Sequence, residues 1–136
     1  MTEKCIFCEI ANGRIPSVRV YEDADFIAFM DINPTSDGHL LLITRSHYKT
    51  TSEVPDKQLA KALPLAKKLA LAAQLGVGSE GYNILINNGP VSGQLVEHWH
   101  LHIIPRKDKS EFPMKAGQPA DLTKLPFIAA SIRDNL

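Results

Sequence analysis

Three histidines alternate with large apolar residues in the stretch His98-Trp99-His100-Leu101-His102-Ile103. Successive side chains of a β-strand point to opposite faces, so this alternation predicts a strand with three imidazoles on one face and apolar packing on the other. A buried imidazole needs a hydrogen-bond partner, and three aligned imidazoles need several. Core packing alone does not favour such a strand. The histidine strand therefore constrains both the fold and the chemistry of the chain.

The histidine strand allows two chemical interpretations. Neutral imidazoles can bind a metal ion that keeps an open position for an activated water, as in catalytic zinc sites. Alternatively, one imidazole is a nucleophile and its neighbours bind the charged group that it attacks. A coincidental cluster is disfavoured, because three of the five histidines in the chain share this strand face.

Length and charge limit the class of protein. The 136 residues suit a single domain, 1–136, with its own hydrophobic core. The 15 basic residues balance the 15 acidic ones, which gives no indication of a nucleic-acid partner or of binding to a membrane surface. No apolar run approaches the roughly 20 residues that span a bilayer, and the first residues lack the pattern of a signal peptide, so we expect no membrane association and a cytoplasmic location.

Hydrophobic periodicity predicts an α+β fold. Alternating or continuous apolar runs predict five strands, at residues 18–22, 26–30, 39–44, 81–87 and 98–105. Helical spacing predicts one main helix over 56–75 with Gly76 as its C-cap, and Pro64 should kink or divide it. A short helical turn at 5–10 and a terminal helix at 125–135 complete the predicted elements, the latter inside a polar tail that spans 107–136.

Both cysteines lie in the pair Cys5-Ile6-Phe7-Cys8. In a reducing compartment, this spacing indicates a metal site or a redox pair rather than a structural disulfide.

Several short motifs, taken together, resemble the histidine-triad (HIT) family. More narrowly, they resemble its Hint-like branch of purine nucleoside phosphoramidases, in the zinc-carrying bacterial form. The similarity extends from Cys5 to about Arg106, roughly three quarters of the chain. The motifs are Cys5-x-x-Cys8, Asp31-Ile32-Asn33-Pro34, Gly38-His39-Leu40, Asn87-Asn88-Gly89, Gly93-Gln94 and His98-x-His100-x-His102-Ile103-Ile104-Pro105.

The resemblance implies a nucleophilic mechanism. His100 would attack the α-phosphorus of a nucleotide and form a covalent nucleotidyl-histidine, which water then cleaves. The His98 carbonyl would hold the proton of His100 on Nδ1. The groups expected to bind the phosphate oxygens are His102, His39, Asn87 and the backbone N–H groups of Gly93, Gln94 and Leu95.

The same resemblance implies a nucleoside pocket. Asp31 would accept the ribose hydroxyls, and the apolar residues Ile6, Phe7, Ile10, Phe29 and Ile32 would contact the purine. Each assignment has an alternative, since Asp31 can simply begin a turn, Asn87 can cap its strand, and the apolar residues can belong to the core. Leu95 departs from the family pattern, because many eukaryotic members have a serine or threonine at this position.

The resemblance further implies a structural zinc ion bound by Cys5, Cys8, His47 and His98. A closed Cys2His2 site leaves no open position for catalysis. It also implies a homodimer, formed through the main helix and a sheet edge.

The expected function is hydrolysis of purine nucleoside 5'-phosphoramidates, such as AMP joined to an amine. Three alternatives remain at the level of the sequence. They are hydrolysis of dinucleoside polyphosphates, a zinc hydrolase in which the triad itself binds the catalytic metal, and a nucleotide-binding regulatory protein with little turnover.

Overall fold

A five-stranded antiparallel sheet organises the fold, as the sequence predicted. The computed structural model describes residues 5–111 and 117–136. The strand order is β1-β2-β3-β5-β4, and each strand runs antiparallel to its neighbours. The strands are β1 (Arg19–Glu22), β2 (Phe26–Met30), β3 (Leu40–Thr44), β4 (Gly81–Ile86) and β5 (His100–Arg106).

Strand β3 is the centre of the sheet. All five of its residues are buried, because β2 and β5 flank it and apolar layers cover both of its faces. Its continuous apolar sequence is the pattern expected of a strand covered on both sides. The strand begins at Leu40, so that His39 lies at the junction with the preceding loop.

The main helix α2 (Asp56–Val77) covers one face of the sheet. Its buried residues are Ala62, Ala66, Leu69 and Ala70, and the three alanines allow the helix to approach the strands closely. The helix is two residues longer than predicted. Gly76 remains helical, and the left-handed C-cap conformation is adopted by Gly78, with φ of 70°.

Pro64 does not divide α2 into two pieces. The helix is continuous through it, because the carbonyl group that loses its N–H partner belongs to Ala60, an exposed residue whose oxygen water can reach.

Short helices lie near the two ends of the chain. Helix α1 (Ile6–Ala11) packs against the opposite face of the sheet from α2, and α3 (Leu125–Arg133) has no buried residue. Both lie within about two residues of their predicted bounds. In the described ranges, none of the helices has the length and apolar character needed to cross a lipid bilayer.

Candidate active site and metal centre

The histidine face predicted from the sequence is present, although β5 begins at His100 rather than at His98. Trp99, Leu101 and Ile103 belong to the apolar cluster beneath α2. On the opposite face, the ring of Phe7 contacts both His98 and His100 edge-on, with centroid distances of 5.8 and 5.1 Å. The alternation therefore separates the imidazoles from the main core.

A backbone carbonyl fixes the tautomer of His100. Its Nδ1 lies 2.7 Å from the carbonyl oxygen of His98, and because a carbonyl can only accept, the proton of His100 is on Nδ1. The lone pair of Nε2 is then available for attack. The side chain is 5% exposed, and this burial lowers the pKa of His100, which favours the neutral form.

The ring of His98 has the opposite tautomer. Its Nε2 lies 2.6 Å from the carbonyl oxygen of Thr44 and donates its proton there. The Nδ1 atom consequently presents a lone pair, and it faces the sulfur of Cys5 at 3.3 Å. Burial lowers the pKa of His98 to about 4, so the ring is neutral at pH 7.

His39 and His102 form a hydrogen-bonded pair. The backbone N–H of Thr35 donates to Nδ1 of His39 at 3.0 Å, so neutral His39 carries its proton on Nε2. That Nε2 lies 2.9 Å from Nδ1 of His102 and donates to it. His102 must therefore hold its own proton on Nε2, where it can donate to a ligand.

This geometry does not support direct contact between His39 and a phosphate group. Both ring nitrogens of His39 already have protein partners, and the residue is 3% exposed. It orients His102 instead. Burial lowers the pKa of His102 to about 4, with further lowering by His100 and His39, so both members of the pair are neutral near pH 7.

Asp31 lies beside this pair. Its Oδ1 accepts the N–H of Asn33 at 2.8 Å, which confirms that the residue begins a turn. Its Oδ2 lies 3.5 Å from Nε2 of His39. The carboxylate thus has lone pairs left for a ligand at the edge of the site.

The five residues of the expected purine pocket divide into two groups. Phe7, Ile10 and Phe29 are buried in the apolar cluster under the histidine face, which agrees with the alternative that they belong to the core. Ile6 and Ile32 are 48% and 86% exposed and remain available for contact with a ligand.

The glycine-bearing loop between β4 and β5 has fewer free N–H groups than expected. Gly93 donates its N–H to Pro90 at 3.0 Å, and Gln94 donates its own to Gly89 at 3.4 Å. Of these three expected donors, Leu95 alone has an N–H without an acceptor in the part of the protein that the structure describes. The expectation that three consecutive N–H groups bind phosphate is therefore wrong for Gly93 and Gln94.

Asn87 stands next to this loop. A Cβ added to Gly93 would lie 3.8 Å from Nδ2 of Asn87, so the amide lies directly beside Gly93. Within 5–111 and 117–136, the Asn87 side chain makes no hydrogen bond.

The second constellation brings together Cys5, Cys8, His47 and His98, whose ligand atoms all lie within 4.8 Å of one another. The measured separations are 3.3 Å for Cys5 to His98, 3.3 Å for Cys8 to His47, 3.5 Å for Cys8 to His98 and 3.3 Å for His47 to His98. Zinc bonds of about 2.0–2.3 Å in a tetrahedron require ligand separations of roughly 3.3–3.8 Å. The four side chains fit a tetrahedral zinc site.

The chemistry of the donors agrees with this fit. The Nδ1 atoms of His47 and His98 face each other. Nδ1 of His98 is unprotonated, so its lone pair can bind a cation. Burial and the neighbouring Cys5 raise the pKa of the Cys8 thiol to about 11, so a divalent cation is required to stabilise its thiolate near neutral pH.

Asp31, His39 and His102 also lie close enough together to suggest a metal site. The N–H of Thr35 excludes this, because it keeps the proton of neutral His39 on Nε2, the atom that faces the other two groups. A protonated nitrogen cannot ligate a metal.

Sequence reasoning missed the groups that orient the rings. They are the Thr35 N–H and the Thr44 carbonyl, and backbone atoms of this kind carry no residue-type signal.

Comparison with known proteins identifies the family. A family model described as the HIT domain matches residues 12–109. This chain belongs to the HIT family. Adenosine 5'-monophosphoramidase hnt1 of Schizosaccharomyces pombe is 45% identical over 116 residues, which cover 85% of this chain and 84% of the yeast protein. That similarity supports the Hint-like branch of the HIT family.

Solved structures of HIT proteins agree with the fold. A member of the HIT family from Bacillus subtilis superposes with a TM-score of 0.89 and is 38% identical, covering 98% of both chains. A zinc-bound histidine triad family protein from Mycobacterium smegmatis has a TM-score of 0.76 and is 32% identical, covering 96% of both chains.

Proposed function

We propose that this HIT protein hydrolyses purine nucleoside 5'-phosphoramidates at the α-phosphorus through a nucleotidyl-His100 intermediate. The observation that carries the proposal is the contact of 2.7 Å between Nδ1 of His100 and the His98 carbonyl, which leaves Nε2 unprotonated. An uncharged imidazole with a fixed ring orientation is an effective nucleophile.

The reaction has two steps. Nε2 of His100 attacks phosphorus, the P–N bond breaks, and the amine leaves after taking a proton from solvent. The positive charge on the His100 ring is stabilised by the hydrogen bond from its Nδ1 to the His98 carbonyl. Water then attacks phosphorus, a proton returns to solvent, and the products are the mononucleotide and free His100. One water is consumed overall.

The remaining polar groups stabilise charge on the phosphate. Nε2–H of His102 donates to a phosphate oxygen, and the Asn87 amide and the N–H of Leu95 donate to the others. His39 keeps His102 in the donating tautomer. Asp31 accepts the ribose hydroxyls, and the exposed side chains of Ile6 and Ile32 contact the purine.

Cys5, Cys8, His47 and His98 would hold a structural zinc ion. When bound, it joins α1 to the segment that carries His98. All four ligands come from the protein, so the ion has no open position and takes no part in phosphoryl chemistry.

The test is incubation with an AMP-amidate, followed by measurement of AMP. We expect turnover by the wild type and none above background by His100→Ala. In the alternative zinc hydrolase, a chelator would abolish turnover at once while the protein stays folded. Retention of activity in His100→Ala would refute the nucleophile.

A further inference from the structure

The side chain of Gln94 joins three separate backbone segments. Its Oε1 accepts the N–H of Gly89 at 2.8 Å, and its Nε2 donates to the carbonyl oxygens of Lys49 at 2.7 Å and Val96 at 3.0 Å. The residue is 6% exposed. Because both amide hydrogens and the amide oxygen are used within the protein, this side chain has no donor left for a substrate.

Apart from Val96, which packs against the apolar cluster of α1, the loop over residues 89–96 has few apolar contacts that hold its position. Its side chains Val91 and Leu95 are almost fully exposed, and Gly89 and Gly93 adopt positive φ values of 87° and 102°. The other hydrogen bonds of the loop are local turns. A loop with few apolar contacts depends on its polar contacts for a defined conformation.

A second amide fastens the start of this loop. Oδ1 of Asn88 accepts the N–H of Thr51 at 2.8 Å. The two amides therefore attach the loop to the segment 49–51, which follows the metal-cluster residue His47 in sequence. Neither contact involves the histidine face directly.

The loop carries one phosphate donor of the proposed function, Leu95, and lies beside another, Asn87. The N–H of Leu95 directly follows Gln94, and the Asn87 amide lies beside Gly93. Hydrogen bonds to a developing oxyanion need donors placed to within a few tenths of an ångström. We propose that Gln94 is a positioning residue, whose buried amide holds the 89–96 loop so that Leu95 and Asn87 can donate to the phosphate. This inference rests on the phosphoryl chemistry proposed above.

Two variants and one control test it. Gln94→Met keeps the length of the side chain and removes all three hydrogen bonds, while Gln94→Glu keeps an acceptor and removes both donors. Val91→Ala is the matched control, because this exposed side chain lies in the same loop and has no assigned role. With an AMP-amidate at a temperature well below unfolding, we expect kcat to fall at least tenfold in both Gln94 variants, a larger change than the accompanying rise in KM. The control should resemble the wild type.

Two further measurements separate positioning from general stability. Hydrogen–deuterium exchange of the loop amides should rise at least tenfold in Gln94→Met, while exchange in β2 and β3 stays unchanged. The affinity for AMP, measured by calorimetry, should fall at least threefold. Wild-type kcat in both variants would overturn the proposal, as would unchanged loop exchange.

A failure of the proposed function gives a different result. If the wild type releases no AMP from the amidate, the phosphoramidase assignment fails. The positioning role is then decided by exchange and AMP affinity alone, and unchanged values for both in Gln94→Met would overturn it.

Discussion

His98 belongs both to the histidine face and to the cluster with Cys5, Cys8 and His47. The carbonyl of His98 accepts the Nδ1 proton of His100, its ring Nε2 donates to Thr44, and its ring Nδ1 faces the cysteines. Backbone atoms therefore set the proton positions of His98, His100 and His39, and His39 in turn sets that of His102.

The pH dependence of turnover follows from the buried rings. Burial lowers the pKa of His102 to about 4 and also lowers that of His39. Because these pKa values are lowered, His39 and His102 become protonated only at acidic pH. Protonation breaks the arrangement in which His39 donates to His102. We expect kcat/KM to be constant near neutral pH and to fall only below pH 6.5, the value for a free imidazole, when His102, His39 or the nucleophile His100 becomes protonated, as measured in a pH–rate profile.

A variant of Asp31 tests the cause of this fall in kcat/KM at acidic pH. The Asp31 carboxylate raises the pKa values of His39 and His102 against the effect of burial. Asp31→Asn should therefore move this fall to still lower pH, whatever it does to KM. A fall centred near pH 6.5, the value for an exposed imidazole, would contradict this explanation.

At the level of elements, the cluster of Cys5, Cys8, His47 and His98 brings α1 next to the residues that precede β5. Helix α1 has only six residues and is too short to be stable alone. Besides the packing of Phe7, Ile10 and Ala11, its attachment depends on Cys5 and Cys8.

Removal of one metal ligand should therefore loosen this end of the molecule. We expect Cys8→Ala to lose bound zinc and to lower Tm by about 10 °C or more, since metal binding contributes directly to folding free energy. Arg14→Gln, just after the same helix, is the control, because the Arg14 side chain is 66% exposed and its ion pair with Glu9 contributes little. Metal content that is unchanged in Cys8→Ala would refute the ligand set.

Alanine should have opposite effects on stability at two glycines, Gly38 in the loop between β2 and β3 and Gly76 in the last turn of α2. Gly38 has φ of +88°, and an added Cβ would lie 2.9 Å from Cγ1 of Val77, so Gly38→Ala should destabilise the protein by about 1–3 kcal/mol. Gly76 is helical and has open space around it, so Gly76→Ala should stabilise by about 0.5–1 kcal/mol. Chemical denaturation measures both, and the same sign for the two would contradict this account.

The limits of prediction from sequence are visible in these elements. The bounds of β2 were predicted correctly because its sequence is apolar throughout and turn formers flank it. The end of α2 was placed too early, because either Gly76 or Gly78 can adopt the left-handed cap and only packing decides between them. The triad and the Cys-His cluster were found from spacing and family resemblance. The loss of free N–H groups at Gly93 and Gln94 depends on loop conformation, which residue types do not specify.

For the whole molecule, two exposed surfaces bear on assembly. Strand β4 forms an edge of the sheet, and Leu85 on it is 40% exposed. On α2, Leu71 and Leu75 are 49% and 89% exposed. An unpaired sheet edge and exposed leucines can both contact a second copy, and association through helix and sheet edge would bury them. We propose this homodimer.

Light scattering during size-exclusion chromatography tests the dimer. The wild type should have about twice the mass of the 15.0 kDa chain, and the double variant Leu71→Glu with Leu75→Glu should shift toward the monomer. Lys57→Glu, at an exposed position of the same helix, is the control and should remain dimeric. A monomeric wild type at micromolar concentration would contradict the proposal.

The central claim is that Nε2 of His100 bonds to phosphorus during turnover. Rapid acid-free quenching of the enzyme with an AMP-amidate, followed by intact and fragment mass spectrometry, tests it directly. We predict a transient mass increase of one adenylyl group, located on His100 and missing from His100→Ala. Release of AMP at the full rate without any adduct on His100 would contradict the mechanism.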